Sequence, residues 1–249
     1  MLKNLNYIYI LTLLILSFIF NYYFGSVGVF PIDTFAFFDS AFSINNGFFP
    51  IRDYWTSNGF LVDIMQSVFF KFFFTNWNTY LLHSSLMNFL LVFSSYQFLK
   101  EKGLNFKFAF LYSISIGILG YPSAGVPFPD HHSLILSIIS FYLLIISFKR
   151  ESKLYLFFSI FFLFLAFLCK QMPAALFVLL ASLYIVNFSY QKKKYYFFYY
   201  SFFFASSLLL VFILFLRIYK IPLEDFLIQY VKFPITIGSY RSGNLELLA

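Results

Sequence analysis

Residues Gly59 to Phe74, GFLVDIMQSVFFKFFF, decide the topology of this chain. The run is about sixteen residues long, short of the roughly twenty that a helix needs to cross a bilayer. Within it Asp63, Ser67 and Lys71 recur at every fourth position, which on a helix draws one polar stripe. Such a stripe suits an interfacial helix, or one packed beneath the preceding loop, better than a lipid-exposed span. With this segment held on one side, the remaining apolar runs predict about seven spans. They are Leu5 to Phe24, Thr79 to Leu99, Leu104 to Gly120, Ser133 to Phe148, Leu154 to Leu168, Pro173 to Phe188 and Phe197 to Leu216. Lys3 then shares the cytoplasmic side with Lys100, Lys102 and Lys107, with Lys149, Arg150 and Lys153, and with Lys192 to Lys194. Asp33, Asp39, Asp53, Asp63, Asp130, Glu224, Asp225 and Glu246 fall on the outer side.

Composition agrees with membrane residence. Of 249 residues, 61% are hydrophobic and 11% charged, which excludes a soluble globular domain. The net charge of +7 comes from lysine clusters in short turns, where the positive-inside tendency accounts for it, and no nucleic-acid module is visible. The 42 Phe and 20 Tyr are too many for single aromatics to carry an argument. The single cysteine, Cys169, permits no internal disulfide. The first apolar run is longer than a signal-peptide core and reads as an uncleaved first span.

Upstream of the deciding segment, Pro31 to Tyr54 reads PIDTFAFFDSAFSINNGFFPIRDY. As a helix from Asp33 to Gly47 it places Asp33, Asp39, Ser40 and Ser43 on one arc and Phe35, Phe37, Phe38, Ala41 and Phe42 on the other, an amphipathic interfacial pattern. Downstream, three further outer features carry ionisable groups. They are Asp130, His131 and His132 in YPSAGVPFPDHHS, Lys170 in FLCKQMP, and the segment from Lys220 with Glu224, Asp225, Tyr230, Lys232, Tyr240 and Arg241. Each has a plain structural reading: Asp33 as a helix cap, Arg52 with Asp53 as a surface ion pair, Lys170 as a snorkelling side chain, His83 as a hydrogen-bonded packing residue. Adjacent histidines in an extended turn are poorly placed to share one ion, and His83 is the only other histidine.

The order of these pieces resembles the GT-C superfamily of membrane glycosyltransferases, in the branch of protein O-mannosyltransferases and aminoarabinose transferases. That branch has an early acid in the first outer loop, matched by Asp33, then an A-x-x-(I/L)-x-x-G-x-x-P-x-x-D stretch, matched from Ala41 to Asp53. A Pro/Gly-started apolar helix matches from Asn58, a P-D-x-x-L turn is approximated by Pro129 and Asp130 with Leu134 one position late, and a Lys shortly before a Pro matches Lys170 and Pro173. Thr34 stands where the mannosyltransferases often carry a second acid.

The resemblance implies an all-α polytopic membrane protein with interfacial helices in the first outer loop. Its seven-span module covers residues 1–219, with the outer loop at 25–77, and an extracytoplasmic tail at 220–249 begins a further C-terminal portion. It implies residence in the inner (plasma) membrane, with the N-terminus cytoplasmic, and inverting transfer of a sugar from a polyprenyl-phosphate donor to a lipid, glycan or protein acceptor. Asp33 is then the general base. Lys170 and Arg52 meet the donor phosphate, and Asp39, Asp53, Asp130 and His131 bind sugar or acceptor. A divalent cation stays open, because members of the superfamily differ. The competing readings are a transporter or lipid-handling protein without catalysis, and an inactive fragment of a glycosyltransferase.

Overall fold

The computed structural model describes residues 2–28, 33–56, 58–120 and 125–246. Pro31 and Ile32 of the first loop, Ser57, and residues 121–124 of the loop before Asp130 lie outside that set. Every regular element among the described residues is helical, and the one extended pairing is an isolated bridge between Pro50 and Tyr54.

The helices are α1 (Leu2–Val27), α2 (Asp33–Asn45), α3 (Leu61–Phe73), α4 (Trp77–Glu101), α5 (Phe106–Leu119), α6 (Pro129–Arg150), α7 (Lys153–Cys169), α8 (Gln171–Gln191) and α9 (Tyr196–Ile218). A short α10 (Leu223–Phe226), one π-helical turn (Leu227–Lys232) and α11 (Phe233–Glu246) follow. Four of these, α1 from Asn6, α6, α8 and α9, are long and apolar enough to cross a membrane, while α5 and α7 are apolar but shorter. The outer surfaces of α8 and α9 expose Leu179, Leu183, Phe202 and Val211, a surface that lipid satisfies and water does not. At 13 residues, α3 extends about 20 Å and falls short of a hydrocarbon core of about 30 Å.

The α4 helix is central, packed against α1, α5 and α6, and α6 in turn packs against α7 and α8. Successive long helices alternate in direction between two ends of the bundle. At one end the Asn6 side-chain oxygen accepts from Tyr96 Oη at 2.9 Å and Lys100 Nζ at 2.7 Å, and Glu101 takes ion pairs from Lys149 (3.2 Å) and Arg150 (2.5 Å). At the other end Trp77 Nε1 donates to the Gly25 carbonyl at 3.1 Å. Gly25 and Gly125 touch there through their backbones: a Cβ built on Gly125, itself at φ +64°, would stand 2.4 Å from Gly25 N. The Asn21 amide reaches the Ser84 hydroxyl and the Gly125 carbonyl beside them.

Both short helices, α2 and α3, lie at this second end. The α2 helix buries Thr34, Phe37, Ser40 and Ala41, and Asn45 Nδ2 donates to the Ser67 carbonyl of α3 at 3.1 Å. The polar stripe read along α3 divides: Asp63 and Ser67 are buried and Lys71 is exposed. So α3 presents its acid inward, beneath the loop, rather than to water.

Candidate functional site

Residues 46–56 and 58–60, between α2 and α3, form a strap whose course is fixed by backbone contacts. Gly59 N donates to the Cys169 carbonyl at 3.0 Å, and a Cβ at position 59 would lie 1.8 Å from the Leu168 carbonyl oxygen. Only glycine permits that approach, and it sets the end of the strap directly beside Lys170. Ile51 sits at φ +73°, a strained conformation for a β-branched residue. It is held there by its own N–H on the Tyr54 carbonyl (2.9 Å) and by Gln229 Nε2 donating to its carbonyl (3.1 Å). Phe49, Ile51 and Phe60 anchor the strap in a core with Phe212, Leu216, Phe226 and Tyr230, each buried ring contributing about 1.5–3 kcal/mol.

Between α2, the strap and α3 lies a cavity of about 380 Å³. Asp39, Ser40 and Ser43 face it from α2, Tyr54, Trp55, Thr56 and Asn58 from the strap, and Asp63 from α3. Among the described residues no lysine or arginine lines it. Asp63 is 2% exposed, and its Oδ1 has no hydrogen-bond partner. Burial pushes its carboxyl up to about 8, against the Ser40 hydroxyl, which acts to lower it. Burial likewise pushes the Tyr54 phenol up to about 12, opposed by its 2.5 Å contact with the Ser40 hydroxyl.

A chain of buried polar groups leads from α3 into the bundle. His132 Nδ1 lies 3.0 Å from the Phe128 carbonyl and so carries a proton. Its Nε2 then accepts from His83 Nε2 at 3.2 Å, which leaves His83 Nδ1 an acceptor, 2.9 Å from the Gln66 Oε1 oxygen. For two uncharged rings the contact is satisfied with Gln66 Nε2, which has no other partner, turned toward His83. The chain thus ties α3, α4 and α6 together.

The residues singled out from sequence fall into three groups. Asp39 lines the cavity, whereas Asp33, in the first turn of α2, is exposed and does not line it. Arg52 and Asp53 form an ion pair at 2.6 Å. The guanidinium also donates to the Gly47 and Tyr219 carbonyls at 3.0 Å each, and Asp53 accepts from Phe49 N at 2.6 Å. The Arg52 guanidinium, and then the Phe49 amide, hold the Asp53 carboxyl below its ordinary value. These two residues close the strap on itself and on the end of α9.

Lys170, on extended backbone between α7 and α8, pairs with Asp130 at 3.2 Å, the side chains 29% and 43% exposed. Its carbonyl accepts from the Ser133 hydroxyl at 3.1 Å. His131 and His132 occupy the first turn of α6 rather than an extended turn; His132 points inward to His83 and His131 packs edge-on against Phe128. Among the described residues no three His, Cys, Asp or Glu side chains are grouped to hold a metal ion.

Sequence reasoning passed over Asp63, Ser40 and Tyr54 as site residues. The available signal was an aspartate inside an otherwise apolar helix, a position that is costly unless something uses it. A second, apolar cleft, also of about 380 Å³, opens between α7, α8 and α9, lined by Leu163, Phe164, Phe167, Ala181, Ile185 and Leu208. Its α7 wall ends three residues short of Lys170. Compared with known proteins, the chain matches no family model, no curated protein and no solved structure.

Proposed function

We propose that this chain is a membrane glycosyltransferase of GT-C type, moving a sugar from a polyprenyl-phosphate carrier to an acceptor hydroxyl at the extracytoplasmic face. The observation that carries the reading is the cavity of carboxyls, hydroxyls, an amide and an indole at one end of the bundle, with its strap bonded to the residue beside Lys170. Carboxylates and amides bind vicinal hydroxyls, and an aromatic face covers the apolar side of a sugar ring. In this reading α1 and α4 to α9 are the seven spans, α2 and α3 are interfacial, and the lysine-rich end is cytoplasmic.

The reaction then runs as an in-line displacement. The acceptor oxygen attacks the anomeric carbon, the bond to the phosphate oxygen breaks, and the phosphate leaves with the electron pair. The hydroxyl proton passes to a carboxylate. Asp39, on the cavity wall, suits that role better than Asp33, which lies about 9 Å away along the helix. Lys170 offsets charge growing on the phosphate, exchanging its Asp130 partner for it, while the apolar cleft along α7 takes the lipid chain. Arg52, with its donors committed to the strap, positions rather than binds.

The test is transfer in lipid nanodiscs from radiolabelled polyprenyl-phosphate sugars to endogenous lipid and peptide acceptors. Asp39→Asn is expected to abolish transfer, and Lys170→Met to raise KM for the donor more than it lowers kcat. Transfer lost in Asp33→Asn and kept in Asp39→Asn would return the base role to Asp33. Release of sugar from none of the donors sinks the transferase reading.

A further inference from the structure

We infer that Asp63 is the specificity-determining residue of the cavity, binding one hydroxyl of an uncharged sugar ring through the Oδ1 that the protein leaves unpaired. The inference rests on the reading above only for the chemical class of the ligand. Its geometry stands apart from that reading: a carboxyl at the cavity floor, almost fully buried, with one oxygen lacking any partner. A buried polar atom is nearly always satisfied; Asp63 Oδ1 is closed to water as it stands, and because its residue lines the cavity, a small turn of the carboxyl brings that unpaired oxygen to a ligand atom.

Two further features narrow the ligand. Among the described residues the lining holds no basic side chain, so an acidic sugar would meet Asp39 with nothing there to balance it. The titratable groups around Asp63 are Asp39 of α2, Tyr54 of the strap, Cys169 of α7 and, through Gln66, His83 of α4, none of which supplies a positive partner to hold Asp63 as a carboxylate. Asp63 therefore meets the ligand as a neutral acid that donates its O–H and accepts in return, and the partner that satisfies both is a hydroxyl. Asp39, exposed at the rim, and Asn58 complete a hydrogen-bonding ring, with the Trp55 indole beside them. A site built this way rejects a ring lacking that hydroxyl more strongly than it rejects a change of shape.

The experiment has two arms on purified full-length protein. In the first, emission of Trp55 in a Trp77→Phe background is followed during titration with methyl mannoside, methyl glucoside, methyl galactoside, methyl glucuronide and methyl glucosaminide. A saturable change with at least one neutral glycoside is expected, and none with the glucuronide. Asp63→Leu should weaken binding by about tenfold or more, and Asp63→Asn, which keeps a donor and an acceptor, by less. In the second arm unmodified protein is treated with a hydrophobic carbodiimide, which adds to protonated carboxyls in apolar surroundings. Labelling should map to Asp63, fall between about pH 6.5 and pH 9.5, and be blocked by the glycoside that binds. Binding by the glucosaminide alone, equal affinity in Asp63→Leu, or failure of the bound glycoside to block labelling would overturn the inference. Glycoside binding without transfer from any lipid donor would overturn the transferase reading and leave this one standing.

Discussion

Replacing Asp63 by Asn should stabilise the protein at neutral pH and remove most of the pH dependence that α3 contributes. Burial carries this carboxyl from its ordinary 3.8 to about 8, with the Ser40 hydroxyl opposing the rise. Between those two values the unfolded chain has released a proton that the folded chain keeps. Stability is therefore full below the lower value, falls as pH climbs and levels off above the upper one. At about 1.4 kcal/mol per pH unit, the loss amounts to about 4 kcal/mol at about pH 7 and about 6 kcal/mol above about pH 8. Asparagine has the same shape without a charge to desolvate, so the loss vanishes with the substitution. Thermal unfolding in detergent, followed by intrinsic fluorescence, should show the variant melting well above the parent at about pH 8 and level with it at about pH 4. Two curves separated by the same interval at both pH values would refute the reasoning, because Asp63 would then titrate alike in the folded and unfolded chain. Stability given up to keep an acid at this position is the usual mark of a residue retained for use.

Three other outcomes test the frame around the cavity. Gly59→Ala drives a methyl into the Leu168 carbonyl and breaks the 3.0 Å bond to Cys169, so it should cost about 2–4 kcal/mol in the same unfolding assay; a change below about 0.5 kcal/mol would show that the strap gives way freely. Arg52→Lys loses the planar fork that joins Asp53, Gly47 and Tyr219, and limited proteolysis should open the 47–54 strap while the rest of the chain keeps its cleavage pattern. Single cysteines at Ser43 and Lys193 in a Cys169→Ser background should react oppositely with an impermeant thiol reagent on intact cells, Ser43 labelled and Lys193 protected; the reverse result would put the cavity in the cytoplasm.

Helix positions were legible in the sequence because apolar runs and their charged punctuation are local. The expected span from Thr79 to Leu99 lies inside α4, and Leu154 to Leu168 inside α7. What periodicity could not give was the direction of a polar face. The stripe of Asp63, Ser67 and Lys71 has the same spacing whether it looks to water or to protein, and only the packing of α2 over α3 turns Asp63 inward. The cavity was hidden for the same reason, since its floor and walls come from three elements that meet only in the fold. Order along the chain favoured Asp33 as the early acid, yet six positions of helix separate it from Asp39, and of the two it is Asp39 that lines the cavity. Arg52 and Asp53 illustrate a different limit: adjacency in sequence shows that they can pair, but not that the pair also holds the carbonyls of Gly47 and Tyr219.

The distribution of ionisable groups bears on the proposed surface reaction site against the alternative of a transport path. An ion-coupled carrier places acids, histidines or cations near the middle of its spans, often where helices break. Here α4 carries no Asp, Glu, Lys, Arg or His between His83 and Lys100, α6 none between His132 and Lys149, and α9 none before Arg217. The polar groups buried deeper are serines and asparagines engaged in packing: Asn88 Nδ2 donates to the Ser17 carbonyl at 3.1 Å, and the Ser140 hydroxyl to the Ser159 carbonyl at 2.7 Å. Such bonds join helices without offering a titrating step. The buried titratable groups Asp63, His83 and His132 gather instead at the end that carries α2 and α3, and the histidine chain stops at the Phe128 carbonyl, one residue before α6 begins. Among the described residues the hydrogen-bonded chain of side chains from α3 thus ends at that same face.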